Sequence, residues 1–124
     1  MRHFVQYHEV ADMGPYMAPE EGFLVVTDKS SGLSRGDRVW LVTGEGNPCR
    51  YSLCCWFVVD NMEHLAVGKF HNRAIGTTGR HFTPFIPIND MPWLSELKRK
   101  CGNFGFGLQH ITSPRLISAL EHFA

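Results

Sequence analysis

Gly36-Asp37-Arg38-Val39-Trp40-Leu41-Val42-Thr43, then Gly44-Glu45-Gly46-Asn47-Pro48, then Tyr51-Ser52-Leu53-Cys54-Cys55-Trp56-Phe57-Val58-Val59-Asp60, is the stretch that decides the fold class. Gly36 supplies unusual backbone angles and Asp37 can bond its own backbone two residues on, so the pair opens a strand over residues 38–43. Two glycines and Pro48 turn that strand back. In the apolar run that follows, alternation puts Tyr51, Leu53, Cys55, Phe57 and Val59 on one face and Ser52, Cys54, Trp56 and Val58 on the other. Both faces are largely apolar, which predicts a central strand covered on both sides.

Outward from this core, short apolar runs separated by Gly, Pro and Asp read as further strands. His3 to Val10 is the first and Phe23-Leu24-Val25-Val26-Thr27 the second, with residues 11–17 between them as a loop or short helical turn. A hairpin is expected to join residues 69–75 to 80–85 through Gly76-Thr77-Thr78-Gly79. Asp90 can cap a helix that carries Pro92 in its first turn and an apolar stripe of Trp93, Leu94, Leu97 and Cys101; Lys98, Arg99 and Lys100 suit its C-terminal dipole and Gly102 ends it. Residues 103–111 read as another strand, and a last helix starts at Ser113-Pro114 and buries Leu116, Ile117 and Leu120. The expected architecture is α+β: one domain over residues 1–124, a small, twisted, mostly antiparallel barrel-like sheet flanked by helices.

Composition agrees with a packed domain. In 124 residues, 44% are hydrophobic and 19% charged, and 12 basic side chains balance 12 acidic ones. This excludes a disordered, collagen-like or polybasic chain. No apolar run approaches the roughly 20 residues that span a bilayer, and the opening Met1-Arg2-His3-Phe4-Val5-Gln6 lacks an apolar signal region, so a cytoplasmic protein with no membrane partner is expected. Cys49, Cys54, Cys55 and Cys101 form no Cys-x-x-Cys pair and the histidines are scattered, so reduced thiols are expected and neither metal nor cofactor is. Charge is uneven: residues 1–62 carry a net −3 and residues 63–124 a net +3. A neutral total disfavours strong non-specific nucleic-acid binding but permits a local cationic face.

Three features bear on function. Trp40 shares a strand face with Arg38 and Val42, and Trp56 lies on the next strand; if the two strands pair, both indoles line one cavity or both belong to the core. Aromatic faces of this kind hold an unpaired base by stacking. Cations come second: period two puts Lys69, His71 and Arg73 on one strand face with Arg80 across the turn, and Lys98, Arg99 and Lys100 gather at a helix end, as phosphate contacts require and as any solvated surface also shows. Third, in Phe104-Gly105-Phe106-Gly107-Leu108 a strand would show two bare glycines on one face, open to a packed element or to a flat ligand. No nucleophile is spaced with a base as Ser–His–Asp or Cys–His chemistry needs, so no catalytic residue is assigned.

The set Phe4-Val5-Gln6-Tyr7-His8, residues 23–29, Gly36 to Gly44 and Tyr51 to Asp60 resembles the PUA-like superfamily, nearest its EVE-type domains, relatives of the YTH and ASCH domains. The resemblance covers residues 3–60 by strand order and the rest loosely. It implies a small barrel that binds DNA or RNA and admits a modified base between aromatic walls. Carried onto the matching positions, those walls are Tyr7, His8, Trp40 and Trp56, to which Phe106 and Gln109 are added from the glycine-rich segment. The tryptophan that opens EVE domains soon after their first strand is replaced here by Met13-Gly14-Pro15-Tyr16. The expected function is a non-catalytic reader of a base, with Arg38, Lys69, His71, Arg73, Arg80, Lys98, Arg99 and Lys100 on the phosphates. The alternatives are a small ASCH-like enzyme on a nucleoside or RNA, with His8 or Glu9 as base, and a protein-interaction module of a defence or stress system. The chain stops at His122-Phe123-Ala124 without a polar tail, so a following nuclease domain or a partner protein is a further expectation.

Overall fold

The computed structural model describes residues 1–14, 16, 22–27, 32–64, 72–102, 104 and 108–124, without the side chains of Asp12 and Met13. Within these, the chain runs β1 (His3–Glu9), α1 (Val10–Met13), β2 (Phe23–Thr27), β3 (Arg38–Glu45), β4 (Arg50–Val58), β5 (Asn61–His64), β6 (Asn72–Gly76), β7 (Thr78–Pro87), α2 (Leu94–Lys100), β8 (Gln109–Ile111) and α3 (Pro114–Glu121). β3 and β4 form the expected hairpin, in a register that sets Trp40 directly opposite Trp56. β1 lies parallel to β3 on its other side, from His3 opposite Arg38 to Glu9 opposite Gly44. β7 and β8 complete a five-stranded sheet in the order β7-β4-β3-β1-β8, and β2-β6-β5 form a second sheet. All pairings but β1–β3 are antiparallel. The protein is thus α+β and mostly antiparallel, but the described strands form two sheets and no closed barrel.

Two cores flank the five-stranded sheet. Phe4, Val39, Leu41 and Phe57 face Phe23, Val25 and Ala74 of the smaller sheet. On the other side Val5, Trp40, Val42 and Leu53 meet Leu94 and Leu97 of α2 and Leu116 and Leu120 of α3. β4 is therefore covered on both faces, as its double-sided apolarity requires, yet its alternation is interrupted. The pairing shifts between Leu41 and Val42, where Leu41 faces Cys55 but Val42 faces Leu53, so Cys54 is an extra, bulged residue. Tyr51 and Leu53 consequently share the helix-covered side with Trp56, while Ser52, Cys54, Cys55 and Phe57 turn to the inter-sheet side.

The hairpin expected between residues 69–75 and 80–85 does not form among the described residues. β6 pairs with β2 and β5, whereas β7 pairs with β4, and only Thr77 separates them. A Cβ at Gly76 would lie 2.2 Å from the Val58 carbonyl oxygen, and one at Gly79 2.2 Å from that of Trp56. Glycine alone lets the chain cross this close to β4 and pass from one sheet to the other. Asp60 secures the crossing by accepting from Thr77 N (2.8 Å) and Thr77 Oγ1 (2.9 Å). Arg73 and Arg80 therefore stand in different sheets. The polar strand β5, which its sequence does not announce, is held by pairing with β6.

The helices keep their apolar stripes with altered ends. α2 begins at Leu94 with Trp93 as an N-cap lacking a side-chain bond, so Asp90 and Pro92 stand before the helix rather than on it. Trp93, Leu94, Leu97 and Cys101 are buried as the spacing requires, and Gly102 ends the helix at a positive φ of 57°. Of the strand expected over residues 103–111, Gln109–Ile111 forms β8 and Phe104, with φ 64°, is not in a strand; residues 103 and 105–107 lie outside the described residues. None of the helices among the described residues is long and apolar enough to cross a membrane.

Candidate functional site

The β3–β4 and β4–β7 registers bring four expected site residues to one face of the sheet. Trp40 and Trp56 are ring neighbours, 6.1 Å between centroids and tilted by 42°. The Arg38 guanidinium lies 4.1 Å from the Trp56 ring centroid and 5.6 Å from that of Trp40, and Arg80 stands opposite Trp56 on β7. The indoles do not wall a slot together, however. Trp40 is 0% exposed, and its Nε1 donates to His3 Nδ1 at 3.1 Å. Trp56 is half-buried beneath Arg38. Packing Trp40 into the helix-side core buries more apolar area than leaving it at a cavity edge, which is the physical reason it is core.

Tyr7 and His8 point to opposite sides of β1, as neighbours in a strand must. Tyr7 stacks on Phe104 (4.7 Å, 11°), and its hydroxyl donates to Glu9 Oε2. Burial, reinforced by Glu9 and Cys49, pushes the Tyr7 phenol up, so it stays protonated. His8 Nε2 is bonded to the Gly14 carbonyl and its own carbonyl accepts from Thr43 Oγ1 at 2.8 Å. Both residues named as a general base are thus engaged. Gln109 sits half-buried in β8 opposite Val5. Phe106, Lys69 and His71, and the two glycines beside Phe106, lie outside the described residues. Arg73 is paired with Glu63 at 2.7 Å, which makes it a strut between β5 and β6 and not a free cation. Arg99 and Lys100 are exposed at the end of α2.

A cleft of about 560 Å³ opens at the far end of the five-stranded sheet, near the β3–β4 turn. Tyr16, Tyr51 and Phe85 give it aromatic lining; Thr43, Ser52 and Asn89 give it hydroxyl and amide groups; Glu45, Arg50 and Asp90 charge it. Each has a local cause. The register jump of β4 against β7, from Cys55–His81 to Leu53–Ile86, leaves residues 82–85 bulged, which accommodates Pro84 and brings Phe85 to the cleft. Tyr16 packs against Phe85 with centroids 6.0 Å apart and is bonded through its hydroxyl to His81 Nδ1 at 3.1 Å. Burial pushes its phenol up, so it too stays protonated. Asn89 fixes the rim: its Oδ1 accepts from Tyr51 N at 2.6 Å and its Nδ2 donates to the Cys49 carbonyl at 3.3 Å. Lys98 lies 4.9 Å from the centroid of the Tyr51 ring and so brings one expected phosphate cation to this region. Among the described residues, Glu45, Arg50 and Asp90 form no ion pair, and the Ser52 hydroxyl makes no hydrogen bond. Those groups are available to a ligand.

Sequence reasoning missed Tyr16, Phe85 and Asn89 because three separate loops and strands converge here and no spacing links them. The β3–β4 register sets Ser52 opposite Thr43, a pairing that no local spacing in the sequence displays. All four cysteines are unpaired, and burial pushes Cys55 and Cys101 up to about 11, so they stay as thiols. No group of three or more His, Cys, Asp or Glu among the described residues is arranged to hold a metal ion. No family model, curated protein or solved structure matches the chain.

Proposed function

We propose that this chain is a non-catalytic nucleic-acid reader, acting in the cytoplasm, that takes a single base, a modified one included, into the cleft of Tyr16, Tyr51 and Phe85. The observation that carries the reading is the cleft itself: its volume falls in the range of small-ligand sites, and it joins aromatic lining to a few convergent polar groups. A flat heterocycle lies against Tyr16 and Phe85, its amino or imino donors face Glu45 and Asp90, and Arg50 with Lys98 takes the attached phosphate. On this reading the two sheets, joined by the unbroken run of β6 into β7, are the PUA-like barrel of an EVE-type domain in an open form. The residues that hold the base are then not the two tryptophans but groups at the end of the same hairpin.

Anisotropy of labelled single-stranded DNA and RNA, modified and unmodified, at low salt tests this. Saturable binding is expected, weakened in Phe85→Ala by about 5- to 150-fold, the range of one base–aromatic contact worth about 1–3 kcal/mol. Ser52→Ala is expected to alter the preference between bases and leave the fold intact. Absence of saturable binding to every oligonucleotide, or a folded Phe85→Ala that binds as wild type, overturns the proposal.

A further inference from the structure

Arg38 Nε and Trp56 Nε1 are both buried, and neither has a hydrogen-bond partner. The two donors are neighbours, since the guanidinium of Arg38 lies over the Trp56 ring. A buried donor without an acceptor bears its full desolvation cost, so such groups are satisfied in nearly all proteins. Burial disfavours the Arg38 charge and Glu121 opposes that effect, but Glu121 bonds His3 Nε2 at 3.3 Å and forms no ion pair with Arg38, while Asp37 holds Arg2 at 2.6 Å. Arg80, exposed and directly across from Trp56, has no ion pair or hydrogen bond among the described residues. Two guanidinium groups, neither in an ion pair among the described residues, and one unsatisfied indole N–H therefore occupy neighbouring positions on a single sheet face.

We propose that the Arg38–Trp56–Arg80 face is an oxyanion site for a phosphate group, separate from the base cleft and independent of the reading given to it. A guanidinium stacked on an indole keeps its N–H donors in its own plane, where they can meet two oxygens at once. Stacking on Trp56 also holds Arg38 ready, so little side-chain freedom is lost on binding. A carboxylate has two oxygens to share among three donor groups; a phosphate has more, which favours phosphate. The phosphate belongs to a nucleic-acid backbone or to a small phosphorylated molecule, and the two sources are separable.

The whole 124-residue chain is titrated with labelled oligothymidylate at several salt concentrations and, in parallel, its thermal midpoint is followed with inorganic phosphate. For a backbone phosphate, Arg38→Gln/Arg80→Gln binds the oligonucleotide at least about tenfold more weakly, and its slope of log affinity against log salt is shallower by about 1 to 2. For a small phosphorylated ligand, inorganic phosphate raises the midpoint of the wild type and not of the double variant, while oligonucleotide affinity is the same in both; this also upholds the site. Wild type and folded double variant behaving alike toward both probes overturns it. Arg80→Gln alone changes an exposed residue and gives a partial loss in the responding arm, which keeps the test readable if Arg38→Gln does not fold. Phe85→Ala leaves the inorganic phosphate arm unchanged, so failure of the base cleft and failure of this site are told apart.

Discussion

His3 shows how one side chain joins the core to the surface. Because Trp40 Nε1 donates to its Nδ1, the proton of the neutral ring sits on Nε2, which faces Glu121. Burial lowers the His3 pKa below its ordinary value, with Glu121 opposing, so the folded protein resists a proton that the unfolded chain accepts. The unfolded state then binds more protons below about pH 6.5, and stability falls as pH falls through that window. The thermal midpoint is expected to drop from about pH 7 to 5, and His3→Asn, which keeps an acceptor for Trp40, is expected to flatten the profile; an unchanged slope contradicts the assignment. Asp37 acts at lower pH. Burial opposes its ionisation, but bonds from Arg2 and Ser34 prevail and hold its carboxyl below the usual range. Gly44 is equally constrained, for a Cβ there would meet Tyr7 Oη at 1.8 Å and Cys49 Sγ at 2.8 Å. At this scale the sequence was readable where a local rule applies. The expectation that Tyr7 and His8 wall one pocket breaks such a rule, since adjacent residues of a strand face opposite sides.

Among the elements, α3 matches its sequence closely. Ser113 Oγ accepts from Leu116 N at 3.4 Å, and Pro114 occupies the first turn, where its missing N–H is not needed. Ser113→Ala is expected to cost about 1 kcal/mol, measured as a lower denaturation midpoint with an unchanged slope. α2 departs from its sequence at its start. Asp90 is spaced to cap, but the chain turns through residues 89–93 first, anchored by Asn89 on the β3–β4 end, and Asp90 serves the cleft instead. Among strands, the ends of β2 and the pairing of β3 with β4 were legible from apolar runs and turn residues. The bulge at Cys54 was not, because an apolar run with both faces buried gives alternation no polar side to mark a slip.

At the scale of the molecule, the helices are held to the sheet through the helix-side core. Leu97, 0% exposed, packs from α2 into the core with Trp40 and Leu53. Leu97→Ala is expected to destabilise by about 2–5 kcal/mol, read from denaturant unfolding, with the inter-sheet core left intact. The cleft and the Arg38 face lie at opposite ends of the β3–β4 hairpin, so a rigid pair of strands carries both. Variants at one site are accordingly expected to leave the other unchanged, as additivity of distant positions requires.

Local chemistry in the sequence determined the hairpin of β3 and β4, the apolar stripes of both longer helices, the Ser113 cap and the mostly antiparallel α+β class. These depend on side-chain period and backbone preference within about ten residues, which a sequence displays directly. Only the tertiary structure decided that Gly76 and Gly79 carry the chain between sheets, that Trp40 is core, and that Tyr16, Phe85 and Asn89 meet at one cleft. Those outcomes depend on which distant backbones come into contact. An apolar or glycine residue reads the same in sequence whether its neighbour is the core, another strand or an open cleft.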